Sequence, residues 1–280
     1  MSAELRAVLF DMDGTLVDTE GLWWEACAAV AAELGLELAG ADAAHVLGRP
    51  VEHAAAHLLR RSLARRDRAS SAGMTAHPGR ASSDGMPPHP GQVPTVHPGQ
   101  VPTAGMAAHP GRALPGEFPA RPDEASAEAV GARLTDAFAE RIAGGVTPLP
   151  GAIRLLDDLG AAGVPVALVS ASPRRIVDMV LRTVGAERFR LVVAAEDTER
   201  GKPLPDPYLR AAAALGVDPA ECVAVEDSPT GLAAARAAGC RVVAVPGGVP
   251  APYGVPAVDS LEKVDLALLR LLTAGKIWIS

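Results

Sequence analysis

Two acidic residues, Asp11 and Asp13, follow an apolar run near the N-terminus, in the stretch AVLFDMDGTLVDTE that spans residues 7–20. Crowding two carboxylates at the end of a buried strand costs free energy unless cations or hydrogen-bond donors compensate their charge. A D-x-D-G stretch alone is also compatible with a helix cap or a solvated turn. A chemical role for the pair therefore requires compensating groups from elsewhere in the chain.

Three later segments carry polar groups of the kind that bind phosphate or a divalent cation. Ser170 follows the apolar run VPVALV, and Lys202 lies in GKPLPDPY, in a chain that has only two other lysines. Glu226 and Asp227 follow the apolar run CVAV. Carboxylate oxygens hold Mg²⁺, whereas ammonium and hydroxyl groups bind phosphoryl oxygens. If these segments converge, the sequence predicts a site for a cation and a phosphate.

The elements that position these residues alternate along the second half of the chain. Short apolar runs predict strands, and the stretches between them begin with Ser or Asp plus Pro and end with Gly, as helices do. Near-continuous apolar strands joined through helices favour a parallel sheet. We therefore predict an α/β fold, a Rossmann-like parallel sheet core with helices on both faces. Its five strands are expected at AVLFD and at residues 164–170, 190–195, 222–226 and 241–245.

A helical block is inserted after the first strand. We predict a core domain made of residues 1–17 and 148–280, and a smaller helical cap domain at residues 18–147. Within the cap, residues 67–122 are rich in Pro and Gly and repeat the unit HPGQVPT. The irregular spacing of the repeats and their lack of an apolar face do not fit a solenoid, so we predict a disordered low-complexity insertion.

The overall composition argues against several classes of partner. A formal net charge of −7 disfavours nucleic acid and anionic membranes as bulk partners. Cys27, Cys222 and Cys240 are odd in number and widely spaced, which suits buried thiols in a reducing compartment. The sequence has no apolar run of the roughly 18 residues needed to cross a bilayer. We therefore expect a cytoplasmic, monomeric protein.

Four segments, DMDGTLVDTE, LVSAS, GKPLPDPY and VEDSPTG, occur in that order along the chain. Together they resemble the four motifs of the haloacid dehalogenase superfamily. The likeness is to its phosphatases with a helical cap after the first motif, a group that includes β-phosphoglucomutase and sugar-phosphate phosphatases. It covers nearly the whole chain outside the Pro/Gly-rich insertion. The resemblance implies a Mg²⁺-dependent phosphatase that forms an aspartyl-phosphate and whose partner is a small-molecule phosphate ester, such as a sugar or polyol phosphate.

The same resemblance implies a role for each matching residue. Asp11 is the expected nucleophile, and Asp13 the general acid and base. Ser170 and the main chain at Ala171 are expected to bind the transferring phosphoryl group, while Lys202 neutralises charge between it and the nucleophile. The expected Mg²⁺ ligands are Asp11, the main-chain carbonyl of Asp13, Glu226 and Asp227.

Substrate recognition is expected to come from the cap. Thr19 and Glu20 follow the first motif directly, and Trp23 and Arg49 are further candidates to contact the substrate. Adjacent residues on a helix point about 100° apart, so at most one of Trp23 and Trp24 is expected to face the site.

Three alternative functions share parts of this pattern. Haloacid dehalogenases proper need no Mg²⁺ and lack the second acid of the first motif, so Asp13 disfavours that chemistry. A receiver-like phosphate-binding module also gathers acids, a hydroxyl and a lysine, but the D-x-D spacing and the helical insertion disfavour it. A β-phosphoglucomutase-type phosphomutase is the closer alternative. The resemblance implies that such mutases carry a G-x-x-R pattern in the cap. Here Gly48 matches its glycine, but Val51 stands at the position of its arginine and the nearby arginine is Arg49, which favours the phosphatase.

Overall fold

The computed structural model describes residues 4–74, 126–245, 252 and 254–276 of the chain. Its strands are β1 (Ala7–Phe10), β2 (Val17–Asp18), β3 (Thr147–Pro148), β4 (Val166–Val169), β5 (Leu191–Val193), β6 (Cys222–Glu226) and β7 (Arg241–Ala244). Its helices are α1 (Glu20–Glu33), α2 (Ala43–Val46), α3 (Val51–Met74), α4 (Ala127–Ile142), α5 (Ala152–Ala161), α6 (Arg174–Val184), α7 (Asp206–Leu215), α8 (Pro229–Ala237) and α9 (Leu266–Thr273).

Five strands form one parallel sheet in the order β5-β4-β1-β6-β7, with β1 at its centre. Val8 of β1 lies opposite Val166 of β4 on one side and Val223 of β6 on the other. Every residue of β1, β4 and β6 is buried, which is why these strands are apolar almost throughout. The parallel sheet predicted from the sequence is confirmed.

Helices cover both faces of this sheet. Because successive side chains of a strand point to opposite faces, β1 contributes to two separate cores. Ala7 and Leu9 pack into one core with Tyr208 of α7, and Val8 and Phe10 pack into the other. Cys27, Cys222 and Cys240 are free thiols buried in these cores, as expected. Among the described residues, no helix is both long and apolar enough to cross a membrane.

Helices α1–α4 form a bundle. Along the chain they lie between β1 and the later strands of the sheet, where the sequence predicts the cap. α3 continues to Met74, so the first residues of the predicted low-complexity insertion, 67–74, are helical. No proline interrupts residues 67–74, since the first proline of the insertion is Pro78. The bounds of the insertion stay a prediction. Residues 75–122 of the predicted insertion lie outside the described residues.

A short antiparallel ribbon joins this helical bundle to the sheet. Val17 and Asp18 of β2 pair with Pro148 and Thr147 of β3, respectively. The two predicted domain boundaries, after residues 17 and 147, therefore lie side by side. The chain passes from the sheet to the helical bundle through β2 and returns through β3, so both connections lie in this ribbon. The division into two domains stays a prediction.

Candidate active site

The predicted site residues meet at the C-terminal edge of the sheet. Asp11 follows β1, Ser170 follows β4, and Glu226 ends β6. Lys202 reaches the same place from the segment between β5 and α7, although it is 191 residues from Asp11 in the chain. A cavity between this edge and helices α1–α4 is lined by residues of both parts.

Lys202 is fixed by three acceptors. Its Nζ donates to Asp11 Oδ1 at 2.6 Å, Glu226 Oε1 at 2.6 Å and the carbonyl oxygen of Val169 at 2.8 Å. An ammonium has three protons, so its donors are fully used. Burial lowers the pKa of Lys202, but the charges of Asp11 and Glu226 outweigh that effect and raise it above its usual value. The residue therefore stays protonated at neutral pH.

Three buried carboxylates, those of Asp11, Glu226 and Asp227, each place an oxygen within 4.8 Å of the other two. Burial, reinforced by the charges of Asp11 and Glu226, raises the pKa of Asp227 to about 9. Thr15 donates a hydroxyl hydrogen bond of 3.2 Å to Asp227 Oδ1, which is weak compensation for a buried charge. Three acids against the one ammonium of Lys202 leave an excess of negative charge, and an all-oxygen donor set of this kind fits Mg²⁺.

Gly14 makes room for this acidic group. Its φ of +76° is in the left-handed region, and a Cβ at this position would lie 2.3 Å from Asp227 Oδ2. A glycine is therefore required both by the backbone turn after Asp13 and by the approach of Asp227.

The carboxylate of Asp13 is held apart from that group by two hydroxyls. Thr19 Oγ1 donates to its Oδ1 and Ser172 Oγ donates to its Oδ2, both at 2.7 Å. Burial, together with the neighbouring charge of Asp11, raises the pKa of Asp13 to about 6. A carboxyl group that titrates near neutral pH is suited to general acid and base catalysis.

Glu226 is anchored more fully than its neighbours. Its Oε1 accepts from Lys202 and from Tyr208, whose hydroxyl lies 2.5 Å away, and its Oε2 accepts from Ser228 at 3.2 Å. Burial and the charge of Asp11 raise the pKa of Glu226, while Lys202 opposes the rise. Gly231 packs directly against this carboxyl group, since a Cβ there would lie 1.8 Å from Glu226 Oε1.

The predicted phosphate-binding segment follows β4. Ala171 and Ser172 line the cavity, whereas Ser170 is buried. The hydroxyl oxygen of Ser170 accepts from the main-chain amide of Ser172 at 3.0 Å, which leaves the hydroxyl proton available for another acceptor. The structure therefore brings Ala171 to the cavity wall and places Ser170 behind it.

The four predicted cap residues differ in their contacts. All four residues line the cavity: Thr19, Glu20, Trp23 and Arg49. Thr19 is also buried and donates a hydrogen bond to Asp13. Trp23 donates from Nε1 to the carbonyl oxygen of Val46 at 2.8 Å, and its ring meets Phe138 edge-on. Both Trp23 and its neighbour Trp24 pack against the core, but only Trp23 is among the residues that line the cavity, in keeping with the helix geometry.

One hydrogen bond ties the loop between α2 and α3 to the sheet side of the cavity. Thr230 Oγ1, at the start of α8, donates to the carbonyl oxygen of Gly48 at 2.8 Å. Gly48 has a φ of +59°, and a Cβ there would lie 3.3 Å from Ser228 Cβ. This contact holds the loop that carries Arg49 at the mouth of the cavity.

Several residues of the site were not assigned from the sequence: Thr15, Ser172, Tyr208, Ser228 and Thr230. Ser172 lies beside predicted site residues, in the segment LVSAS, and Tyr208 lies in GKPLPDPY with the predicted lysine. Thr15, Ser172, Tyr208 and Ser228 donate to acids of the site, whereas Thr230 donates to the carbonyl oxygen of Gly48. Their roles depend on distances between strands, which no local pattern encodes.

Known proteins are similar to this chain in sequence over part of its length and in fold over most of it. The family described as haloacid dehalogenase-like hydrolase matches residues 5–239. Hexitol phosphatase A of Escherichia coli is 43% identical over 127 residues, which is 45% of this chain and 56% of that protein. Protein CbbY of Rhodobacter capsulatus is 41% identical over 117 residues, or 40% and 52% of the two chains. The matched region thus spans about half the length of these curated relatives.

Solved structures match over almost the whole chain. CbbY from Rhodobacter sphaeroides in complex with phosphate superposes with a TM-score of 0.66 at 24% identity, covering 95% of this chain and 99% of that one. A putative β-phosphoglucomutase from Thermotoga maritima superposes with a TM-score of 0.56 at 22% identity, covering 92% and 95%. At these identities the likeness establishes a common fold.

Proposed function

Because this chain belongs to the haloacid dehalogenase-like hydrolases, we propose that it is a Mg²⁺-dependent phosphatase of a small phosphorylated metabolite. The contacts of Asp11 carry the proposal. Its carboxylate lies at the cavity wall, 2.6 Å from a lysine ammonium and beside two further buried acids. Asp13, with its raised pKa, lies on the same wall.

In the first step, an oxygen of Asp11 attacks the phosphorus and the bond from phosphorus to the leaving oxygen breaks. Protonated Asp13 gives its proton to that oxygen, so the leaving group departs as an alcohol. The positive charge of Lys202 offsets part of the negative charge that develops on the phosphoryl oxygens, and the main-chain amide of Ala171 and the hydroxyl of Ser170 donate to them. The product of this step is an aspartyl-phosphate and the dephosphorylated metabolite.

In the second step, the carboxylate of Asp13 takes a proton from water, and the water oxygen attacks the phosphorus. The acyl-phosphate bond breaks, which releases inorganic phosphate and regenerates Asp11. Splitting one difficult displacement into two easier ones is the usual advantage of a covalent intermediate. Thr19 and Ser172 orient Asp13 for both transfers through their hydrogen bonds.

Mg²⁺ would be held by Asp11, Asp227, Glu226 and the main-chain carbonyl of Asp13. When bound, it neutralises negative charge on the phosphoryl group and on the crowded acids. The raised pKa of Asp227 supports this assignment, because it reflects a carboxylate whose charge the described side chains do not fully compensate.

We propose a sugar or polyol phosphate as the substrate. Matching relatives include hexitol phosphatase A and validoxylamine A 7'-phosphate phosphatase, and one matching structure is a CbbY mutant with xylulose-(1,5)bisphosphate. In this chain the outer cavity combines the aromatic rings of Trp23 and Phe138 with the charged groups of Glu20 and Arg49. Aromatic faces and charged hydrogen-bonding groups together suit a hydroxylated carbon chain.

A phosphomutase of the β-phosphoglucomutase type is the second candidate, since structures carrying that name share the fold. Arg49 lines the cavity and is the observation that favours it. We prefer hydrolysis because Val51 occupies the position at which the G-x-x-R pattern has its arginine. We further propose that the enzyme is monomeric and cytoplasmic.

A metabolite panel with product analysis tests the function. Purified protein is incubated with Mg²⁺ and a set of sugar, polyol and nucleotide monophosphates, phosphoglycolate and β-glucose 1-phosphate. The proposal predicts release of inorganic phosphate in equal amount to the dephosphorylated product. Interconversion of hexose phosphates without phosphate release would establish the mutase instead, and no turnover of any ester would refute both.

A further inference from the structure

Tyr208 is the largest side chain that is fully buried in the described structure, with 0% of its surface exposed. It lies among small and aliphatic residues that include Ala7, Leu9 and Val169. A phenylalanine fills nearly the same space without the cost of burying a hydroxyl, which is unfavourable unless the group finds a partner. The hydroxyl of Tyr208 has one, since it donates to Glu226 Oε1 at 2.5 Å.

The same oxygen of Glu226 also accepts from Lys202, at 2.6 Å. The ammonium of Lys202 lies 5.2 Å from the centre of the Tyr208 ring, so the ring closes one side of its pocket. A second proton of the ammonium is directed at Asp11 Oδ1. Tyr208, Glu226, Lys202 and Asp11 thus form a continuous series of hydrogen bonds, with the tyrosine at the end farthest from the cavity.

We infer that Tyr208 is a positioning residue, whose hydroxyl fixes the carboxylate of Glu226 so that Lys202 is aimed at Asp11. Tyr208 is absent from the residues that line the cavity, so it acts through its two neighbours rather than on the substrate. In this arrangement Oε1 of Glu226 accepts hydrogen bonds from both Tyr208 and Lys202. The kinetic part of this inference rests on the proposed function, whereas the arrangement itself does not.

The test compares Tyr208→Phe with Thr273→Val as a matched control. Thr273 is also buried, but its hydroxyl donates to main-chain oxygens of α9 away from the site. For Tyr208→Phe we expect kcat to fall about tenfold, the scale of losing one hydrogen bond to a charged group. We expect KM and the half-saturating Mg²⁺ concentration to stay within about twofold, because a residue behind the site is not expected to alter ground-state binding. For Thr273→Val all three constants are expected to stay unchanged.

A second readout needs neither metal nor turnover. The chain has three lysines, of which Lys263 and Lys276 are exposed. In a ¹H–¹⁵N spectrum of the ammonium groups, the metal-free protein should therefore show one slowly exchanging signal, that of Lys202. Tyr208→Phe should broaden or abolish this signal, and Thr273→Val should retain it.

The inference is overturned if Tyr208→Phe keeps the Lys202 signal, or if its kcat stays within twofold of the wild type. If Tyr208→Phe is too unstable to purify, Glu226→Leu tests the series from its middle, because it removes the oxygen that accepts from both Tyr208 and Lys202. This variant must also lose the slowly exchanging signal, and keeping it would overturn the inference. A wild-type protein that hydrolyses no phosphate ester refutes the proposed function, while the spectrum still decides the role of Tyr208.

Discussion

The Nζ of Lys202 lies 2.6 Å from Oδ1 of Asp11, and both groups are buried at the edge of the sheet. β1 delivers the acid, and the segment after β5 delivers the ammonium. A buried ion pair of this kind is weak evidence for a stabilising role, because the cost of desolvating two charges offsets much of their attraction. Its position against the cavity suggests a catalytic use instead.

Replacing Lys202 by Met should abolish most of the activity. Losing one preorganised electrostatic interaction at a reacting centre typically costs about 10²- to 10³-fold in kcat, and losing the ammonium that neutralises Asp11 should cost at least as much. Lys202→Arg should not restore activity, because a planar guanidinium does not reproduce three divergent ammonium donors. Steady-state phosphate release measures both variants, with Lys263→Met at an exposed lysine as control. Near-normal turnover by Lys202→Met would contradict the assigned role.

Gly231→Ala should disable the site by displacing Glu226. The added Cβ would lie 1.8 Å from a carboxylate oxygen that Lys202 and Tyr208 hold in place. We expect a loss of kcat similar to that of a Glu226 variant, together with a lower Tm. Gly160→Ala is the control, because a Cβ there meets nothing within 4 Å and should stabilise α5 by up to about 1 kcal/mol. Equal behaviour of the two alanine variants would show that the Glu226 carboxylate moves freely.

Thr230→Val tests the contact between α8 and the loop that carries Arg49. The substitution removes the hydrogen bond to the carbonyl of Gly48 while keeping the shape of the side chain. A net value of about 0.5–1.5 kcal/mol for such a bond predicts a rise in KM of about two- to tenfold with a smaller change in kcat. Thr230→Ser retains the hydroxyl and should keep KM near the wild-type value. Identical KM values for the Val and Ser variants would exclude the contact from substrate binding.

Asp42, near the start of α2, provides a pH-dependent contribution to stability. Burial raises its pKa, but hydrogen bonds from Ala39 and His57 and the guanidinium of Arg61 outweigh this and hold the pKa below its usual value. A depressed pKa in the folded state stabilises the protein above the unfolded pKa of about 3.9, and this stabilisation is lost as pH falls through the folded value.

Asp42→Asn should therefore lower the free energy of unfolding by about 1–3 kcal/mol at pH 7. The difference from wild type should shrink as the pH falls below about 4, because the wild-type carboxylate is then protonated as well. Urea unfolding at pH 7 and pH 3 measures both values. Asp259→Asn, at an exposed ion pair with Lys263, should behave like wild type at both pH values. A constant difference for Asp42→Asn across the range would contradict the depressed pKa.

Much of the fold was predictable because its signals are local. The continuous apolar runs at residues 164–170 and 222–226 contain β4 and β6, and the Ser-Pro and Gly signals bracket α6 and α8. The two-residue strands β2 and β3 were missed because such short segments have no periodicity. Ser228 was predictable as a helix N-cap, and its Oγ does accept from the amide of Gly231.

Only those residues of the candidate site that lie in recognisable sequence motifs could be predicted. The acids and Lys202 meet as expected because the ends of parallel strands share one edge of the sheet. The bonds from Thr15 to Asp227 and from Tyr208 to Glu226 join residues 212 and 18 positions apart. Such pairings are set by how the elements pack, and a single sequence contains no local signal for them.

Trapping the phosphoryl group on Asp11 tests the central claim most directly. The wild-type protein is mixed with Mg²⁺ and a phosphate ester found in the metabolite panel, quenched in acid within one turnover, digested, and examined by mass spectrometry. The account predicts a phosphorylated peptide containing Asp11, which is absent after addition of EDTA and absent from Asp11→Asn. Steady turnover in EDTA, or turnover by Asp11→Asn at the wild-type rate, would contradict it.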